Sequence, residues 1–267
     1  MPQKELKQRD YLTERIQAYL RHEYEDQEVV KAGLFNIYFN ADDDRTDHNL
    51  AVPKERTTEV SYETLALMEA AFSQRGLIPC VQFLDAYNPA LTSLLGRCHY
   101  FLLKEETVMY CTPEMLRPAP DMPGLTTLVL SADSSLEDVR EGLAQTSQLG
   151  FDPFATRMMD TDMELFRRKL LTGRAFVLRL NKKPVTAGMF TDQFDGLVQL
   201  VGLTTLADYR HQGFAAYLAG YMTKYAFARG VDTVFLLSDQ AAGTDTVYRR
   251  VGYKPCAALL TYQKEAE

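Results

Sequence analysis

The sequence predicts a mixed α/β (α+β) protein in two parts, the second a mainly antiparallel sheet flanked by helices. Three observations carry this prediction. The stretch "TPEMLRPAPDMPG" (112–124) holds four prolines and a closing glycine and interrupts an otherwise periodic sequence. After it, the segments read strand, two helices, three strands, helix, strand, helix, strand. Before it, a shorter series echoes the last four of those elements, so the expected domains are 1–118 and 119–267.

In the first part, residues 60–75 have helical spacing and stop at "QRG". "LIPCVQFLDA" reads as a strand, "NPALTSLLG" as a short helix closed by Gly96, and "YFLLKEETVMY" as a closing strand. The pairs Arg75-Gly76 and Arg229-Gly230, and the glycines Gly96 and Gly252, fall at nearly the same spacing, which fits either an internal structural repeat or two unrelated α/β pieces with common glycine stops.

Beyond the seam, "LTTLVL" (125–130) reads as a strand. "SSLEDVREGLAQTSQLG" and "TDMELFRRKLLTG" each open on a capping residue, carry acids early and stop at glycine, which is helix grammar. "RAFVLRLN", "KPVTAGMFTDQ" and "DGLVQLVGLTT" are short, rich in β-branched and aromatic residues, and punctuated by the turn formers "NKKP" and "DQFDG". They predict a three-stranded antiparallel meander. A helix then runs from about Gly213 to Arg229, with Leu218, Met222, Tyr225 and Ala226 at core spacing. "VDTVFLLS" is a strand, "GTDTVYRRVG" a short helix and "YKPCAALLTYQKE" the last strand.

Composition bounds the function. With 46% hydrophobic, 24% charged and 11% aromatic residues and no tryptophan, the chain is that of an ordinary folded protein. A net charge of −7 argues against a broad nucleic-acid face, which needs a basic footprint, while leaving room for a local anion pocket. Cys80, Cys98, Cys111 and Cys256 form no C-x-x-C pair, and His22, His48, His99 and His211 are dispersed, so no metal and no disulfide framework is expected. The start "MPQKELKQRDYLTERIQAYL" lacks the apolar core of a signal peptide, and no run approaches the ~18 apolar residues of a membrane span. A cytoplasmic protein without a membrane partner is expected, with a homo-oligomer left open.

The stretch "ADYRHQGFAAYL" (207–218) carries the chemistry. A helix N-terminus has unpaired backbone N–H groups and the positive end of its dipole, a ready anion site. Gly213 and Ala215 leave room for phosphate to approach those amides, and Arg210 and His211 add positive or donor groups at the edge. The alternative use of the small residues is a packed strand-to-helix turn without a ligand.

"LTTLADYRHQGFAAYL" resembles the acetyl-CoA signature of the GNAT superfamily of N-acetyltransferases, Q/R-x-x-G-x-G/A, through Arg210, Gly213 and Ala215. Tyr248 in "VYRRVGY", before Gly252 and Tyr253, matches the tyrosine of the family's last helix, and the element order from 125 to 267 matches its fold. The first part resembles a degenerate GNAT-like domain, because its helix start in "NLAVPKERTTEVSYETLALM" has no R-x-x-G-x-A.

The resemblance implies acetyl-CoA as acyl donor, no metal, and direct acetyl transfer to an amine of a small molecule or polypeptide. It implies that the backbone of Leu203 and Thr205 pairs with the pantetheine arm. The backbone amides of His211, Gln212, Gly213, Phe214 and Ala215 would hold the pyrophosphate with Arg210 at its edge, Ser238 would touch pantetheine or cap a turn, and Tyr248 would be the general acid toward the leaving thiolate. Several family members carry a glutamate base where this sequence has Gln199, so the base stays unassigned. Arg249 and Arg250 read as a solvated helix face with local ion pairs, with a phosphate clamp as the other use. Two further readings remain open: a non-catalytic acyl-CoA sensor or subunit, and an aminoacyl transferase using charged tRNA, against which the low basicity weighs.

Overall fold

The computed structural model describes residues 3–40, 48–120, 122–144, 160–239 and 243–265, with side chains from residue 9 in the first stretch and from residue 163 in the fourth. The chain divides into two compact units, Met1–Val108 with Cys256–Glu267, and Met109–Pro255.

The first unit begins with α1 (Gln3–His22) and a hairpin of β1 (Glu28–Ala32) and β2 (Phe35–Phe39). β3 (Leu50–Pro53), α2 (Tyr62–Ser73), β4 (Cys80–Leu84), α3 (Pro89–Arg97) and the start of β5 (Tyr100–Cys111) follow. The charged N-terminal stretch is helical because Leu12, Ile16, Tyr19 and Leu20 fall on one face and are buried. From that helix Gln17 accepts a 3.1 Å hydrogen bond from the Leu84 amide. On α2 and α3, Leu65, Met68, Phe72, Leu91, Leu94 and Leu95 pack on Phe35, Ile37, Val81 and Phe83 of the sheet.

Gly76 and Gly230 both take positive φ just past their helices, +67° and +85°. Gly96 does not close α3. The helix runs on to Arg97, and the Cys98 amide still bonds the Leu94 and Leu95 carbonyls.

The last strand of the chain, β11 (Lys254–Lys264), lies inside the first unit, between β4 and β5 in the order β1-β2-β3-β4-β11-β5. It pairs antiparallel with β4 from Leu259↔Leu84 to Gln263↔Cys80, and the rings of Phe83 and Tyr262 stack at 6.0 Å. The two compact units therefore differ from a division at 118/119 in where the seam falls and in the side taken by residues 256–267.

The second unit contains β6 (Leu125–Leu130), α4 (Leu136–Leu143), α5 (Asp160–Thr172), β7 (Arg174–Leu180), β8 (Lys183–Phe190) and β9 (Leu197–Thr205). α6 (Phe214–Phe227), β10 (Thr233–Ser238) and α7 (Asp245–Val251) complete it. The part of the first predicted helix that reaches Gly150 lies outside the described residues. β7 to β9 form the expected three-stranded antiparallel meander, β6 pairs antiparallel with β7 on its outer side, and β10 joins β9 in parallel.

Alternation along β7 splits the core. Phe176 and Leu178 face α6 with Leu218, Met222, Val198 and Leu200, while Ala175 and Val177 face α4 and α5 with Val139, Phe166 and Leu170. Among the described residues no helix is long and apolar enough to cross a membrane.

Because Leu259, Leu260 and Tyr262 are buried in the first unit, each is worth roughly 1.5–3 kcal/mol to it. Deleting residues 254–267 is expected to abolish hydrogen-exchange protection in β2, β3 and β4, far upstream in sequence. Protection retained there would contradict this packing.

Candidate active site

The site is set by two strands that part. β10 pairs with β9 only over Thr233↔Leu197, Val234↔Val198 and Phe235↔Gln199. From Leu200 to Thr205, β9 has β8 on one side, and its other edge is open to an extended ligand. The β8 pairing also slips, from Met189↔Val201 to Ala187↔Thr204, so Gly202 (φ +61°) and Leu203 oppose a single residue in a β-bulge.

The chain leaves β9 through a short 3-10 turn at Ala207–Tyr209 and reaches α6. His211 (φ +61°) and Gly213 (φ +88°) are both left-handed, which folds the backbone sharply at the helix start. α6 has no side-chain cap, and the first bond into it runs from the Tyr217 amide to the Gly213 carbonyl. The amides of Phe214, Ala215 and Ala216 therefore have no intrahelical partner. They border a cavity of ≈550 Å³ whose far wall includes Thr244, Val247 and Arg250. An uncapped helix start facing a cavity with Arg210, His211 and Arg250 on its walls has the chemistry to attract an anion.

The sequence-predicted residues divide in two. Thr205, Arg210, His211, Gly213, Phe214 and Ala215 line this cavity. Arg210 Nε also donates to the Thr205 carbonyl at 3.1 Å, tying strand end to turn. Gln212 is not among the lining residues, and its amide nitrogen bonds the Asp208 carbonyl at 3.2 Å. Leu203 packs its side chain over Gly188, leaving its backbone at the bulge. Ser238 is 1% exposed and pairs its hydroxyl with that of Thr244 at 2.9 Å, the turn-bracing role.

Tyr248 also lies outside the cavity lining, in the core beneath α6. Its ring meets that of Tyr253 edge-on at 5.9 Å. The two hydroxyls differ: Tyr253 shares a 2.6 Å hydrogen bond with Thr223, whereas the Tyr248 hydroxyl has no hydrogen-bond partner among the described residues. Burial pushes the Tyr248 phenol up to about 12.

Sequence reasoning missed Tyr209, Ala216, Thr244, Thr246, Val247 and Arg250 as cavity residues. For the arginine pair a signal existed: Asp245 is one helical turn before Arg249 and holds it at 3.0 Å, leaving Arg250 for the cavity. The first unit shows the contrast. There α2 is capped by Ser61, whose hydroxyl accepts from the Thr64 amide at 3.2 Å, and Gly33 of the β1–β2 turn packs on Thr64. Among the described residues no group of His, Cys, Asp and Glu could hold a metal ion.

Comparison with known proteins gives one family match: residues 139–253, somewhat less than half of the chain, match the model of the acetyltransferase (GNAT) family and form a GNAT domain. A GCN5-related N-acetyltransferase from Kribbella flavida superimposes with a TM-score of 0.75 at 21% identity, covering 96% of each chain. Another from Sphaerobacter thermophilus gives 0.54 at 18% identity, over 76% of this chain and 66% of that one. A tandem GNAT protein of the clavulanic acid biosynthesis pathway gives 0.58 at 10% identity, over 87% and 78%. The fold thus extends through the first half of the chain. No curated protein matches the sequence.

The end of α7 is braced by a close approach. Gly252 has φ +116°, a Cβ there would overlap the Met115 carbonyl oxygen, and the Arg117 amide bonds the Val251 carbonyl at 2.8 Å. Gly252→Ala adds backbone strain to that overlap and is expected to cost about 2–4 kcal/mol. Denaturant melts of the two proteins measure it, and a difference below about 1 kcal/mol would contradict the tight contact.

Proposed function

We propose that the chain is an acetyl-CoA-dependent N-acetyltransferase that passes an acetyl group directly to an amine of a small molecule or peptide. The uncapped start of α6 facing its cavity is the observation that carries the proposal. The amides from His211 to Ala215 hold the donor's pyrophosphate, with the guanidinium groups of Arg210 and Arg250 beside it. The open edge of β9 around Leu203 and Thr205 receives the pantetheine arm as an added strand. The bulge at Gly202–Leu203 turns backbone groups out of the ladder, where an N–H can polarise the thioester carbonyl.

Chemistry then requires a proton for sulfur. The amine nitrogen bonds to the acyl carbon, the C–S bond breaks, and the thiolate takes the Tyr248 proton. Two features suit Tyr248 to this. Burial keeps it protonated through neutral pH, and among the described residues its hydroxyl has no partner, unlike that of Tyr253.

Coenzyme A release from acetyl-CoA across a panel of amines tests the proposal. Turnover with at least one amine supports it, and binding without turnover would instead mark a sensor. Tyr248→Phe is expected to lower kcat about 10²-fold with the acetyl-CoA Kd unchanged. An acid must hold its proton to work, so activity falls only as pH rises through the folded pKa. With that value pushed up to about 12, the wild-type kcat shows no falling limb from Tyr248 at pH 10 or below, a profile that stopped-flow measurement checks.

A further inference from the structure

The second unit carries another cavity, of ≈540 Å³, on the exposed side of α6. Tyr217, Gly220, Tyr221 and Lys224 recur at helical spacing and form one wall, and the irregular segment from Leu116 to Pro120 forms the other. That segment is held in place: the Arg117 amide bonds the Val251 carbonyl at 2.8 Å, and Ala119 lies against the bare face of Gly220. None of these residues lines the cavity at the start of α6.

The walls carry donors and no carboxylate. Arg117 and Lys224 bring two positive charges to one spot of a chain whose net charge is −7, and no Asp or Glu lines the cavity with them. Neither cation makes an ion pair or side-chain hydrogen bond among the described residues, and the hydroxyls of Tyr217 and Tyr221 have no partner there either. The rings are fixed from the core side. Tyr221 meets the fully buried Phe176 edge-on at 6.4 Å while 36% of its surface stays exposed, and Tyr217 packs against the same core. Pro118 and Pro120 add rigid apolar surface opposite them.

Backbone amides decide which anion fits. Phosphate groups commonly rest on free amides at a helix start. Here Pro118 and Pro120 have no N–H, and the amides of Leu116 and Arg117 are spent on the Thr112 and Val251 carbonyls at 3.3 and 2.8 Å. α6 contributes only interior positions, whose amides bond within the helix or, for Tyr217, to the Gly213 carbonyl. An anion here is therefore held by side chains, and a guanidinium fork with an ammonium beside it matches a planar carboxylate. The paired tyrosines suit a flat ring behind that carboxylate.

We infer that this cavity binds a small aromatic carboxylate, its anionic end on Arg117 and Lys224 and its ring against Tyr217 and Tyr221. The inference stands apart from the transferase reading, and because the two cavities share no residue both can be filled at once. A volume of ≈540 Å³ lies within the range of small-ligand sites.

Calorimetric titration of 1-naphthoate into the full-length protein tests it. Saturable binding with a Kd of about 0.1 mM is expected, the same with and without acetyl-CoA. 1-Naphthamide, which lacks the charge, and cyclohexanecarboxylate, which lacks the aromatic ring, bind at least tenfold more weakly, and 1-naphthyl phosphate binds no more tightly than 1-naphthoate. Arg117→Gln, Lys224→Gln and Tyr221→Ala each weaken 1-naphthoate at least fivefold with an unchanged thermal melt, whereas Arg250→Gln, in the other cavity, leaves its Kd within twofold. No saturable binding below about 5 mM, equal binding of the amide, or displacement by acetyl-CoA each overturns the inference. So does a loss of affinity in Arg250→Gln but not in Arg117→Gln, and tighter binding of the naphthyl phosphate overturns the assignment to a carboxylate.

Discussion

The second unit depends on the parting of β9 and β10 immediately before an uncapped helix. Three paired residues hold the strands together, and then the open β9 edge leads straight to the start of α6. A sheet that stayed paired would spend those backbone groups on itself, and a capped helix would satisfy its own amides. The first unit shows the capped alternative, because Ser61 and the Gly33 turn close off the start of α2. One pattern of strand, helix, strand and helix thus yields a cavity with free amides in one unit and a closed helix start in the other.

The remaining parts hold that opening in shape. The strained turn at His211 and Gly213 aims the helix, and Arg210 clamps it to the Thr205 carbonyl. On the far wall Ser238 and Thr244 fix the entry to α7, and the close contact of Gly252 with Met115 fixes its exit. α7 consequently presents Arg250 to the cavity and Tyr248 to the core beneath α6 with little freedom.

Much of this was legible in the sequence, for physical reasons that can be named. The meander, α6 and α7 announce themselves because alternation, helical spacing and glycine stops are local signals. The motif around Arg210, Gly213 and Ala215 was legible because only small residues leave amides open. Other features depend on tertiary partners. Burial of β11 inside the first unit is not written in residues 254–264, which read as an ordinary closing strand in either unit. The bond from the Gln212 side chain to the Asp208 carbonyl exists only once the 3-10 turn forms, so it is not legible in the sequence. Arg250 could have been separated from Arg249 by the spacing to Asp245, a signal the sequence did contain.

The central claim is that the start of α6 binds the pyrophosphate of acetyl-CoA. Isothermal titration of acetyl-CoA into the wild type and into Gly213→Glu tests it most directly. A glutamate at position 213 meets no neighbouring atom at its Cβ and carries its negative charge to the amides, while the φ of +88° there adds backbone strain at the turn. The account predicts micromolar binding to the wild type and at least a hundredfold loss in the variant, with both proteins folded. Equal affinities would contradict it, as would a wild type that binds no acetyl-CoA.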